Sequence, residues 1–192
     1  APNHRTGTDE EKSVYYDRIA ELLRANLNVE YSGSILSMFA SYLGRDRALS
    51  IYDSFTKEVR ESAFADRLGG KMEGIRATQP GKMAPDFTLE SKDGTDFTLS
   101  SLRGKYVVVD FWASWCAPCR AAVPELREFY NNYKSKGLEI VGISNDSQHD
   151  KWREAIEKDQ SNWINVVDRF PVRNSPAEMA TKWGIELLPS YY

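Results

Sequence analysis

Cys116 and Cys119 are the two cysteines of the chain, and only Ala117 and Pro118 separate them. Thiols at this spacing can close a small disulfide ring and reopen it, so the pair has the form of a redox site rather than of core packing. It follows Val109-Asp110-Phe111-Trp112-Ala113-Ser114-Trp115, an apolar run that reads as a buried strand leading into a helix start. The first turn of a helix carries backbone N–H groups without carbonyl partners, and its positive end stabilises a thiolate. Cys116, at that end, is therefore the expected nucleophile.

Composition narrows the other possibilities. A zinc site needs about four ligands, and the cysteine pair is supplemented only by His4 and His149, so no metal is expected. The formal net charge of -3 gives no footprint for nucleic acid. No stretch approaches the roughly 18 apolar residues of a membrane helix, and Ala1 to Glu10 are polar rather than signal-like, so the chain as given is expected to be soluble. Apolar residues make up 41% of the 192, enough for a real core. Trp112, Trp152, Trp163 and Trp183 are assigned to that core.

The elements that must position the cysteines come in two groups. From about Glu10 to Arg76 the apolar spacing is helical. Helices are expected around Val14 to Leu23, from Ile35 to a stop near Gly44, through Ala48 to Phe55, and from about Glu61 through Phe64 and Leu68. Gly69-Gly70 should interrupt or weaken the last of these, and Ala77 to Gly81 reads as a connector. The predicted organisation is a helical region over 1–80 and a second domain over 81–192. In the second domain, Phe87-Thr88-Leu89 and Phe97-Thr98-Leu99 flank the turn signal Lys92-Asp93-Gly94 and predict a hairpin, followed by one helical turn at Ser100 to Leu102. Tyr106 to Trp112 predicts a strand covered on both faces. A helix from the cysteines to about Lys136, a parallel strand at Leu138 to Ser144, and helices at His149 to Lys158 and Ser175 to Trp183 complete an α/β pattern.

Trp112-Ala113-Ser114-Trp115-Cys116-Ala117-Pro118-Cys119, with Val109-Asp110-Phe111 before it and Leu188-Pro189 far downstream, resembles the thioredoxin superfamily over about Lys82 to Tyr192. Ala84-Pro85-Asp86-Phe87, the hairpin, the Trp112 and Trp115 pair and Pro124 resemble its extracytoplasmic TlpA/ResA type, with an AhpC/TSA-type domain. The helical segment is similar to the region that precedes the thioredoxin domain in envelope-associated oxidoreductases of Bacteroidetes-type bacteria. The resemblance implies a thioredoxin-like fold, a mixed central sheet flanked by helices, preceded by an α-helical segment; burial preferences favour packing of that segment on the domain over partner contact through Tyr15, Tyr16, Tyr31 and Tyr42. It implies a thiol-disulfide oxidoreductase, reductive in direction, that needs no cofactor. Its partners would be protein disulfide or dithiol clients and an upstream thiol reductase or oxidase. Its place would be the periplasm or cell envelope, with a lipoprotein anchor in a longer protein.

By the same resemblance, Cys116 and Cys119 form the redox-active disulfide, the first at the exposed helix lip and the second turned inward. Asp110 corresponds to a buried carboxylate that moves the proton of the second cysteine. Pro189 corresponds to a cis-proline, with the Leu188 backbone pairing to an extended client; Trp115 and Pro118 complete the candidate client-binding set. Members of this type often carry a glutamate three residues after the second cysteine, where this chain has Ala122, which leaves Asp110 as the proton handler. The spacer Ala117-Pro118 replaces the common Gly-Pro. Such folds continue for about 40 residues beyond the cis-proline by ordinary element lengths, so the closing part of the fold is expected to be missing. Two other readings compete. Ala84 to Leu89 also opens peroxiredoxin-like thiol peroxidases, but their Pro-x-x-x-Thr-x-x-Cys context is here Val109 and Ala113 before Cys116. A non-catalytic client-binding module is the other.

Overall fold

The structure, a computed structural model, describes residues 7–170, 177–185 and 187–192. It divides into two compact units, Ala1–Lys82 and Met83–Tyr192. The first is helical: α1 (Asp9–Ala25), α2 (Tyr31–Leu43), α3 (Arg45–Ser54), α4 (Lys57–Arg60) and α5 (Asp66–Ala77). A capping box starts α1, in which the Thr8 side chain accepts from the Glu11 N–H and Glu11 accepts from the Thr8 N–H. Two backbone donors that the helix itself leaves unpaired are thereby satisfied. Leu23, Leu36, Ile51, Val59, Leu68 and Met72 fill this unit's core.

Two expectations fail in this unit. The helix predicted from Glu61 begins only at Asp66, and Phe64 lies outside it. The Ser62 hydroxyl donates to the Val59 carbonyl at 2.8 Å, closing α4, and the Phe64 ring turns to meet Tyr31 edge-on. Gly69-Gly70 does not interrupt α5 either. Each glycine costs a helix about 1 kcal/mol. Leu68, Met72 and Ile75 on the same helix are each at most 2% exposed, and burial of such side chains returns about 1.5–3 kcal/mol apiece.

The second unit contains a six-stranded mixed sheet in the order β2-β1-β5-β4-β3-β6. Its strands are β1 (Thr88–Ser91), β2 (Asp96–Thr98), β3 (Tyr106–Trp112), β4 (Leu138–Ser144), β5 (Ile164–Val167) and β6 (Ser190–Tyr191). The predicted hairpin pairs Thr88 with Thr98 and Glu90 with Asp96, and Gly94 turns it at φ 77°. β3, β4 and β5 run parallel, while β1 and β6 are antiparallel to β5 and β3. The predicted single helical turn is a 3-10 turn over Leu99–Leu102.

Alternation along β3 assigns the two faces. Val109 and Phe111 pack with Val141, Ile143, Phe87 and Trp183 on one. Val108 packs with Val123 and Tyr130 of α6 (Ala117–Tyr133), and Trp112 with Trp152 and Ile156 of α7 (His149–Asp159), on the other. Cover on both faces starts only part way along β3, since Tyr106 is exposed. β5 was not expected from the sequence; Asn165 breaks its short apolar run, yet is buried with its amide N–H groups on the carbonyls of Ser161 and Trp163. The helix predicted over Ser175 to Trp183 is α8 (Glu178–Lys182), and Ser175 lies outside the described residues. Asp168 accepts from the N–H groups of Met179 and Ala180 at 2.9 Å, which fixes where α8 starts.

At Gly142 in the middle of β4, a β-carbon would stand 3.0 Å from Asn165 Oδ1, 3.1 Å from Trp112 Nε1 and 3.3 Å from Trp163 Nε1. All three groups are buried and two of them are large rings. Gly142→Ala is expected to destabilise this unit by about 1–3 kcal/mol, read as a lower urea midpoint at unchanged slope.

Candidate active site

β3 delivers the chain to Trp112, and a tight turn then carries it to α6. The Cys116 N–H donates to the Ala113 carbonyl at 3.0 Å, and Cys116 is the N-cap of α6. Pro118 occupies the first turn, where its missing N–H would have had no helical partner. The Cys116 sulfur accepts from the Cys119 N–H at 3.3 Å. The two cysteines are joined in a disulfide with their Cα atoms 5.3 Å apart.

The structure corrects one part of the expected geometry. Cys116 is 4% exposed and Cys119 3%, so exposure does not distinguish a lip cysteine from an inward one. The disulfide draws both into one cluster with Trp112, Ala113 and Trp152, against which Leu188 packs. What separates them is position: Cys116 is the cap whose sulfur takes a backbone N–H, and Cys119 lies within the first turn. Trp115 stands 66% exposed beside them, and Pro118 is also exposed. The Leu188–Pro189 peptide is cis.

Asp110 lies on the α6 side of β3, between Val108 and Trp112 by alternation. It is 5% exposed, and its Oδ1 has no hydrogen-bond partner. Burial pushes its carboxyl up to about 7. Its strand neighbours are Gly142 in β4 and Tyr191 in β6, and the Tyr191 phenol is itself raised, first by burial and then by the charge of Asp110.

Two groups near the motif were missed by sequence reasoning. Asp146, just after β4, accepts from the Ser114 N–H at 2.7 Å, the Ser114 hydroxyl at 2.6 Å and the Ser144 hydroxyl at 2.6 Å. Arg120, next to Cys119, makes a two-pronged pair with Asp159 at the end of α7, at 2.6 and 2.7 Å. The available signal for Asp146 was its place at the carboxyl end of a parallel strand, where open α/β sheets build their sites.

A disulfide at the head of the helix that follows a central parallel strand, in a mixed sheet covered by helices, makes this unit a thioredoxin-like domain. The thioredoxin domain of a thiol-disulfide oxidoreductase from Bacteroides vulgatus is similar, with a TM-score of 0.51 and 32% identity, over 58% of this chain and 77% of that one. The chain belongs to the AhpC/TSA family, whose sequence model matches residues 80–187. Among its relatives are the thiol-disulfide oxidoreductases ResA of Oceanobacillus iheyensis and of Bacillus cereus. The first is 47% identical over 70 residues, 34% of this chain and 36% of the relative. The second is 41% identical over 95 residues, 49% of this chain and 50% of the relative. The chain thus spans a third to a half of the length of these curated relatives.

The position of Asp110 makes stability depend on pH. Unfolded, its carboxyl ionises near about 3.9. From about pH 4 to pH 7 the folded chain holds a proton that the unfolded chain has lost, so stability falls as pH rises through that window. Asp110→Asn removes this penalty. Urea unfolding across pH is expected to show the stability difference shifting in the variant's favour by about 4 kcal/mol between pH 4 and pH 8; a constant difference would contradict the assignment.

Proposed function

We propose that this chain is a thiol-disulfide oxidoreductase that reduces disulfides in protein clients of the cell envelope. The observation that carries the reading is the Cys116–Cys119 disulfide at the head of α6, with the Cys116 sulfur on the Cys119 N–H. In the reduced protein the same N–H and the helix end stabilise negative charge on Cys116. The Cys116 thiolate attacks one sulfur of a client disulfide, the client S–S bond breaks, and its other sulfur leaves as thiolate. Cys119 then gives up its proton and attacks the Cys116 sulfur, releasing the second client thiolate and restoring the intramolecular disulfide. Two electrons pass to the client, and an upstream thiol reductase returns them to the pair.

Asp110 is assigned the proton of Cys119, because a carboxyl pushed up to about 7 exchanges protons near neutral pH. Trp115, Pro118, Leu188 and Pro189 are assigned to client docking, the backbone of Leu188 pairing with an extended client segment. Catalysis falls to residues 81–192, which hold both cysteines. The TlpA/ResA resemblance supports the envelope location; among the described residues no helix is long and apolar enough to cross a membrane. The peroxidase reading is disfavoured by Val109 and Ala113 where peroxidatic sites have Pro and Thr.

Equilibration of the pair in dithiothreitol and glutathione buffers, with mass-tagging of free thiols, tests the direction. A reduction potential near or below about -250 mV is expected, whereas one above about -150 mV would make the protein an oxidant. Cys119→Ser should accumulate a mixed disulfide with a client through Cys116, and Cys116→Ser should not. If no reversible disulfide forms, the catalytic reading fails.

A further inference from the structure

Between Trp112 and Cys116 the backbone leaves the sheet, and two sets of hydrogen bonds hold the loop that carries the sulfur. One is the turn bond from the Cys116 N–H to the Ala113 carbonyl. The other converges on Asp146, which is 2% exposed and lies 30 residues after Cys116 in sequence. Its Oδ2 accepts from the Ser114 N–H and the Ser144 hydroxyl, and its Oδ1 from the Ser114 hydroxyl. Its own N–H donates to the Ser144 hydroxyl oxygen at 3.2 Å.

The post that holds these bonds is itself fixed. The Asn145 N–H donates to the Trp112 carbonyl at 2.8 Å, and the Asp168 N–H to the Ser144 carbonyl at 2.9 Å. The Ser144 to Asp146 segment is thus tied to the ends of β3 and β5. We propose that Asp146 is the positioning residue of the reactive loop: by holding Ser114 at both its N–H and its hydroxyl, it sets the Cys116 sulfur over the first turn of α6. This rests on the redox reading above and adds to it a residue that touches neither sulfur.

The physical argument is one of satisfaction. Three donors point at one buried side chain, two from half-buried Ser114 and one from buried Ser144, and buried polar groups are paired in folded proteins. Removing that side chain leaves the Ser114 N–H and two hydroxyls without their acceptor, and the loop loses the bonds that fix it to the end of β4. The sulfur is then no longer held over the helix N–H groups that favour thiolate. Asparagine answers the same geometry: its carbonyl oxygen can take the Ser114 N–H and the Ser144 hydroxyl, and its N–H can donate to the Ser114 hydroxyl oxygen.

The test is the pH profile of iodoacetamide alkylation at Cys116 in the fully reduced chain, located by peptide mass, for wild type, Asp146→Ala, Asp146→Asn and Ser114→Ala. Cooperative unfolding of each variant is checked first. Asp146→Ala is expected to slow alkylation about tenfold at pH 7 and to move the profile up by about one pH unit. Asp146→Asn should stay within about twofold of wild type, and Ser114→Ala, which keeps the N–H contact, should fall between. A folded Asp146→Ala with the wild-type profile would overturn the proposal, as would Asp146→Asn as slow as Asp146→Ala. If Asp146→Ala does not fold, an unchanged profile in Ser114→Ala overturns it. Reduction of a protein disulfide by wild type is measured alongside; its failure with the Asp146 dependence intact would count against the redox reading and leave the positioning role standing.

Discussion

The first turn of α6 leaves backbone N–H groups that no carbonyl of the helix can reach, and one of them, that of Cys119, points at the sulfur of Cys116. Several features of the second unit bear on keeping that sulfur there. β3 runs through the sheet with partners on both sides, β4 and β6, and so delivers the motif from a fixed place. Trp112 and Trp152 floor the disulfide, and Arg120 ties the start of α6 to the end of α7. Asp146 holds the loop between strand and helix. The effect to be protected is one that a helix end contributes to, at about 0.3–2 kcal/mol for a charge placed there.

Asp110 works against the fold that holds it. A buried carboxyl with an unpartnered oxygen weakens the folded state progressively once pH rises above the value at which the unfolded chain's carboxyl ionises. The same burial is what brings its proton affinity into the range where thiols exchange protons. Under the proposed function Asp110 carries that task without help from Ala122, which has no carboxyl. The stability surrendered at this strand position and the proton role proposed for it have the same physical cause.

The parts of this architecture written in local sequence were legible. The cysteine spacing, the apolar run of β3 and the Gly94 turn of the hairpin each depend on neighbouring residues alone. What was not legible depends on partners far along the chain. α8 starts where Asp168 accepts its N–H groups, and α5 runs through Gly69-Gly70 because Leu68, Met72 and Ile75 are buried by other helices. β5 hides its strand character behind Asn165, whose amide finds carbonyls of the preceding turn. Asp146 reaches a serine 32 residues away, and the near-equal burial of the two cysteines goes with the cluster they share with Trp112 and Trp152.

The central claim is that the helix end, not exposure, makes Cys116 the reactive thiol. The most direct measurement is a titration of both cysteines in the reduced protein, followed by the chemical shifts of 13C-labelled Cβ atoms. The account predicts that Cys116 ionises below about pH 7.5 while Cys119 stays at or above about 8.5. Equal values near about 8.5, or Cys119 as the more acidic of the two, would contradict it.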